Sequence, residues 1–316
     1  MAKKITQSFL RDEIGNYMTI LGKRNPKVIV INADLSGTCR NREFGKRFPE
    51  RQFNVGIAEQ NAVSFAAGLA HEGFIPYIFS MAPFITMRAC EQCRSDVAYA
   101  NLPVRLIGVY AGVSGGISGA THWALEDCGI MTAICGMTVL EPCDAHQATQ
   151  MLDLSLDFSK PLYIRSSVEP VRYIYPKNIP VQIGGSIEII PGSDAAILCS
   201  GVTVQFAIDA AMQLKASNNL SVRVVDMYSI KPIDRKAVIS AAHTGNVLVV
   251  QDHNIIGGLG SMVATTIAEE NLNTNFKVLG VTDQFVPMAH ANYLYQMFEM
   301  DTNGLKKNML ELVNKM

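Results

Sequence analysis

The stretch FNVGIAEQNAVSFAAGLAHEG, residues 53–73, runs a short strand-like piece into a long series of small and apolar residues. Glu59, Val63, Ala66 and Ala70 fall on one side at helical spacing, so the series reads as a helix buried along that face. One carboxylate, Glu59, lies in its first turn and on its apolar side. The helix dipole favours an anion there, whereas burial without a partner opposes it. Two readings fit equally: a residue of a functional site, or an acid paired with an arginine across the fold.

Outward from this stretch, β-branched runs alternate with helical ones. KVIVINAD (27–34), IPYIFS (75–80), VRLIGVY (104–110), MTVLEP (137–142) and PLYIR (161–165) read as strands spaced widely enough for helices between them. That is the pattern of a parallel sheet covered on both faces. At 168–186, VEPVRYIYPKNIPVQIGGS, three prolines and two glycines break any helical period, as in an extended linker. The alternation then resumes with DAAILCSG (194–201), VRVVDM (222–227), NVLVVQDH (246–253) and FKVLGV (276–281). The expectation is an α/β protein of two consecutive domains, each a mainly parallel sheet with helices: residues 1–168, a linker at 169–186, and residues 187–316.

The 316 residues suit two domains, and 48% hydrophobic content supplies their cores. A formal net charge of −1 gives no electrostatic case for nucleic acid or an anionic membrane as partner. No run approaches the length of a membrane-spanning helix, and the start, MAKKITQSFLRDEIG, lacks the apolar segment of a secretory signal. Seven cysteines without framework spacing fit reduced thiols in a cytoplasmic protein. Cys90 and Cys93 form a CEQC pair, but no second pair stands at metal spacing, which favours a structural role. HNIIGGLGSMVATTIAEE (253–270) matches a dinucleotide fingerprint incompletely and reads better as a tight strand-to-helix turn.

Polar residues stand at three further places where parallel sheets put their sites. Asp34 ends an apolar strand, where a turn acid is the plain alternative. GVYAGVSGGISGATHWALED (108–127) is a five-glycine loop ending in Thr121-His122, suited to cradle an anion or present a histidine. Arg165 closes the strand before the linker and would suit a phosphate or carboxylate, although from its local setting a surface ion pair is the favoured reading.

In this order and spacing, GIAEQNAVSFAAGLA, ADLSG, GATH…LED and YIRSS resemble the thiamine-diphosphate-dependent transketolases, and the likeness spans nearly the whole chain. It is closest to a transketolase C-terminal half made as a separate subunit, with a pyrimidine-binding domain followed by the transketolase C-terminal domain. The resemblance implies that Glu59 hydrogen-bonds N1′ of the cofactor's aminopyrimidine, unpaired within its own chain. It places Phe84 against that ring, with Met81 where another Phe is common, and Asp34 near the cofactor. His122 would face the substrate's oxygens and act with Glu59 in catalysis. Arg165 would bind phosphate, with Thr38, Tyr110 and Ser118 also on the substrate.

No Gly-Asp-Gly occurs in the chain, so the family's Mg²⁺ and diphosphate motif is expected on a partner N-terminal subunit. The resemblance implies an α2β2 heterotetramer with the cofactor clamped between subunits. Ile117 and Ser118 replace two acids of the family pattern, Trp123 a Gln, Tyr110 a phosphate-contacting His, and Gln7 an Arg. These departures imply a specialised ketol transferase acting on an unusual or branched sugar phosphate. The β subunit of a 2-oxo acid dehydrogenase decarboxylating component shares the domain order and the glutamate, and a non-catalytic regulatory subunit is a further alternative.

Overall fold

The computed structural model describes residues 7–314. The strands in chain order are β1 (Gln7–Phe9), β2 (Val28–Asn32), β3 (Gln52–Asn54), β4 (Ile75–Met81), β5 (Arg105–Val109), β6 (Thr138–Leu140), β7 (Leu162–Ser166), β8 (Pro170–Arg172), β9 (Ile187–Ile190), β10 (Ala195–Cys199), β11 (Val222–Asp226), β12 (Ser229–Lys231), β13 (Asn246–Asn254) and β14 (Asn275–Val281). Two sheets form the frame. The first has the order β12-β6-β7-β5-β4-β2-β3, the second β14-β13-β10-β11-β9. Within each, pairing is parallel except at one edge strand, β12 in the first and β9 in the second. Both are therefore mainly parallel α/β sheets, as the alternation predicts.

The sequence dictates most of this locally. β2, β5, β7 and β10 bury every residue, which is why they read as continuous apolar runs rather than alternating ones. The helix Glu59–His71 buries Glu59, Ala62, Val63, Ala66, Ala67 and Ala70. Chain order sets the site: β3 lies on one side of β2, and the Glu59–His71 helix carries the chain back to β4 on the other. Such a reversal opens a crevice at the carboxyl ends of the strands.

The two sheets are not independent. β12 lies beyond the linker in sequence yet pairs with β6 at the edge of the first sheet. The linker segment is itself anchored: β8 pairs antiparallel with β1, and Val171, Tyr175 and Ile179 are buried. Asp144 accepts the N–H groups of Ile174 and Tyr175 at 2.7 and 2.8 Å. The short strands β1, β8, β9 and β12 are the ones the sequence pattern does not announce, because three or four residues carry no period.

No helix among the described residues is long and apolar enough to cross a membrane. All seven cysteines are free thiols, and Cys93 of the CEQC pair is packed in the core. Gly257 and Gly258 adopt positive φ and turn β13 into the helix Gly258–Glu269. Gln251 Oε1 accepts the Gly260 N–H at 2.7 Å, so a side chain fills the helix start that a dinucleotide phosphate would use.

Candidate active site

Glu59 opens its helix and is 1% exposed. Ser80, on β4, donates its hydroxyl to Oε1 at 3.0 Å. Arg88 donates Nη1 to Oε2 at 2.6 Å. The acid expected to be unpaired within its own chain is thus paired, and the physical reason is the segment after β4. Phe84–Arg88 winds as a π-helix turn, which turns Arg88 back over the Glu59 helix start. The Arg88 side chain is nevertheless 43% exposed. Its guanidinium lies 4.4 Å from the centroid of the Phe84 ring, a cation–π stack.

Phe84 joins this pair to the glycine-rich loop. The His122 ring meets it edge-on, centroids 5.5 Å apart. Thr121 Oγ1 lies 2.8 Å from His122 Nδ1. Glu59, Phe84 and His122, separated by up to 63 positions in sequence, converge at the carboxyl ends of β3 and β4. Met81, the last residue of β4, is half-buried and packs on the sheet face of Tyr77 and Phe79, whereas Ser80 points to the face of Glu59.

Asp34 follows β2 with φ 60°, an αL conformation that Asp tolerates better than most residues. Its N–H donates to Asn54 Oδ1 at 3.0 Å, and Asn54 Nδ2 donates back to its Oδ1 at 3.1 Å. Asn54 Oδ1 also accepts the Gly56 N–H at 3.1 Å. Asn54 therefore ties the end of β2 to the loop that introduces Glu59. Its only sequence signal is its place in the stretch just before the helix. Thr38 lies half-buried in the turn after Asp34.

Tyr110 follows β5, also with positive φ, at 65°. Arg11, from the helix Leu10–Arg24, points Nη1 at its hydroxyl at 3.4 Å and lies 5.9 Å from its ring centroid. Arg11, Tyr110, Ile117, Ser118, Glu169 and His290 line a cleft of about 300 Å³. Burial pushes the Glu169 carboxyl up, and His290 partly offsets this. The Arg11 guanidinium and the His290 imidazole are groups of this cleft that sequence reasoning missed. Arg11 sits in an ordinary amphipathic helix, and His290 arrives from the other end of the chain.

Arg165 does not fit the phosphate-binding role expected of it. It is 1% exposed on β7. Nε and Nη2 donate to Asp127 at 2.8 and 3.1 Å, Nη1 to Glu141 at 2.6 Å, and Nη2 also to the Asp252 carbonyl at 3.0 Å. Burial alone would raise the Asp127 carboxyl, but Arg165, His253 and Tyr163 more than offset it and hold it below its ordinary value. Glu141, equally buried but sharing the same cation singly, is raised. The guanidinium is the countercharge of a buried network between the domains, enclosed by protein and closed to a ligand.

Among the described residues, the one cluster of three potential metal ligands is Asp127, Cys128 and His253. It lies beside the Arg165 cation, which opposes a metal ion. The mouth around Glu59 has a different chemistry. A buried acid supported by a hydroxyl, with an aromatic face next to it, suits a nitrogen heteroaromatic ring, so the residues present fit the aminopyrimidine half of thiamine diphosphate. For such a ring to reach Glu59 Oε2, Arg88 must leave it, and its exposure permits that.

Comparison with known proteins agrees with this fit. Residues 9–172 match the transketolase pyrimidine-binding domain, and residues 185–305 the transketolase C-terminal domain. The chain is 32% identical over 297 residues to one of the subunits of the apulose-4-phosphate transketolase of Phocaeicola vulgatus, covering 93% of this chain and 94% of that one. It is 32% identical over 313 residues to the 6-deoxy-6-sulfo-D-fructose transketolase subunit SqwH of Clostridium sp., covering 99% and 97%. Among solved structures, a split-gene transketolase described as an inactive beta4 tetramer superposes with a TM-score of 0.87 at 32% identity, over 98% of this chain and 99% of that one. The transketolase of Campylobacter jejuni shares the fold at 17% identity, with a TM-score of 0.83, over 98% of this chain and 47% of its own. The chain belongs to the thiamine-diphosphate-dependent transketolase family, and it carries that family's pyrimidine-binding and C-terminal domains.

Proposed function

We propose that this chain is the C-terminal subunit of a split transketolase, which transfers a two-carbon ketol unit from a ketose donor to an aldose acceptor. The convergence of Glu59, Phe84 and His122 at the sheet's topological switch point carries the reading. Bound thiamine diphosphate would supply the carbanion chemistry. Glu59 is placed to share a proton with a ring nitrogen, and Ser80 keeps its carboxylate oriented. Phe84 gives the ring an apolar wall, with Asp34 at the crevice rim. His122 would exchange protons with substrate oxygens, and its contact with Thr121 fixes the ring.

The diphosphate and Mg²⁺ would be held by a partner N-terminal subunit, in an α2β2 assembly working in the cytoplasm. The related split-gene chain that forms an inactive tetramer by itself supports this dependence. For the donor, the reading is a ketose with an anionic end and an unusual, branched or substituted carbon frame. Relatives named for apulose 4-phosphate and for a sulfofructose support it. In place of Arg165, the cleft formed by Arg11, Tyr110, Ser118 and His290 would receive the anionic end, with Thr38 nearer the cofactor side.

The test is reconstitution with an N-terminal subunit that has the Gly-Asp-Gly…Asn motif. Turnover should depend on both chains and on thiamine diphosphate, and favour a branched or sulfonated ketose over xylulose 5-phosphate. Efficient turnover of the common pentose phosphates would overturn the specialised reading. Acyl transfer to a lipoyl group would overturn ketol transfer itself.

A further inference from the structure

The glycine-rich loop that carries Ser118 and His122 belongs to the first domain, but it is gripped from the second. The loop has a neck. The Gly112 N–H donates to the Ala124 carbonyl at 3.0 Å, and the Ala124 N–H returns to Gly112 at 3.4 Å. Residues 114–123 project beyond it. The end of β13 holds both sides of this neck. Asp252 Oδ1 accepts the Val113 N–H at 2.9 Å, and the Asn254 N–H donates to the Leu125 carbonyl at 3.0 Å. His253 Nε2 lies 3.3 Å from the Gly129 nitrogen, which donates to it.

The Asp252 carboxylate is fully buried, and Tyr295 donates its hydroxyl to Oδ2 at 3.0 Å. A Cβ at Gly112, where φ is 64°, would collide with that carboxylate, so loop and acid are fitted to each other. Farther along, Gly116 lies against the backbone of Ala289 and His290, a second hold from the same domain.

We propose that Asp252 is a positioning residue. By clamping the loop neck from the C-terminal domain, it sets where Ser118 and His122 stand relative to Glu59 and Phe84. The domain that contributes no catalytic side chain then determines the geometry of the substrate side. A displacement of about 1 Å at such a loop can lower turnover by as much as a hundredfold. Asp226 supplies a matched comparison. It is equally buried on β11, and it contacts Gln147, Tyr175 and Cys143 rather than the loop.

The experiment compares Asp252→Ala, Asp252→Asn, Tyr295→Phe and Asp226→Asn by two readouts. Hydrogen exchange of amides 111–125 in the full chain is independent of substrate; the kinetic readout rests on the split-transketolase reading and uses the reconstituted enzyme. Asp252→Ala should speed exchange of the neck amides and lower kcat/KM by roughly tenfold or more, with KM for the donor rising. Asp252→Asn, whose Oδ1 still accepts the Val113 N–H, should restore most of both. Tyr295→Phe should shift both in the same direction by less, and it decides the matter if Asp252→Ala does not fold. Asp226→Asn should leave neck exchange and the KM of the donor unchanged. Wild-type neck exchange in folded Asp252→Ala, or in Tyr295→Phe where that variant stands in, overturns the proposal. Absence of ketol transfer in the wild-type enzyme would overturn the functional reading instead and leave the exchange result decisive.

Discussion

Replacing Arg165 with methionine separates the two roles that an arginine in this position can have. Its side chain neutralises Asp127 through two hydrogen bonds, serves Glu141 through a third and the Asp252 carbonyl through a fourth. All of these partners are inside the protein. Methionine fills much of the volume but leaves the Asp127 charge buried without a countercharge. Breaking a buried pair in this way costs about 3–5 kcal/mol. At roughly 2–4 °C per kcal/mol for a protein of this size class, the thermal midpoint should fall by about 10 °C. Arg165→Lys keeps the charge without the fork and should fall by about half as much. Circular dichroism of the purified chain measures the midpoint, and donor titration of the reconstituted enzyme measures KM. A folded Arg165→Met protein with an unchanged midpoint, but with KM raised selectively for anionic donors, would refute the buried-network reasoning and restore the phosphate role.

Glu59→Gln preserves shape and the Ser80 contact but removes the charge; the chain should remain folded while kcat of the reconstituted enzyme falls by roughly a hundredfold or more. Unchanged turnover would favour a non-catalytic subunit. Arg11→Met should raise KM for an anionic ketose by about tenfold, the value of one charge-assisted contact, and leave a neutral analogue unaffected; equal effects on both would remove Arg11 from the anion cleft. Asp226 is pushed up to about 7 by burial, against the ordinary 3.8, with hydrogen bonds from Gln147, Tyr175 and Cys143 only partly offsetting this. The folded state therefore holds a proton that the unfolded chain has lost, so this contribution is complete below about pH 4 and disappears as pH rises to about 7. Denaturant titration should show Asp226→Asn gaining on wild type across that window, by at most about 4 kcal/mol for three pH units at 1.4 each; a constant difference between the two would refute the assignment.

The two mainly parallel α/β domains are legible in the amino-acid order alone, because fully buried strands and small-residue helices write long apolar runs that short-range physics reads directly. That order also marked Glu59, since an acid on an apolar helical face demands a partner. It could not say which partner. Arg88 is 29 positions away, and only the π-helix turn after β4 brings it over Oε2. The same limit explains Arg165. A strand-end arginine looks alike in sequence whether it faces ligand or protein, and the difference lies in Asp127, Glu141 and Asp252, whose approach depends on how the two domains dock. Arg11, His290 and the Asp252 grip on the loop neck were invisible for that reason. Periodicity carries information over a turn of helix or a pair of strand residues; a contact spanning 139 positions, such as Val113 to Asp252, exists only once the chain has closed around its core.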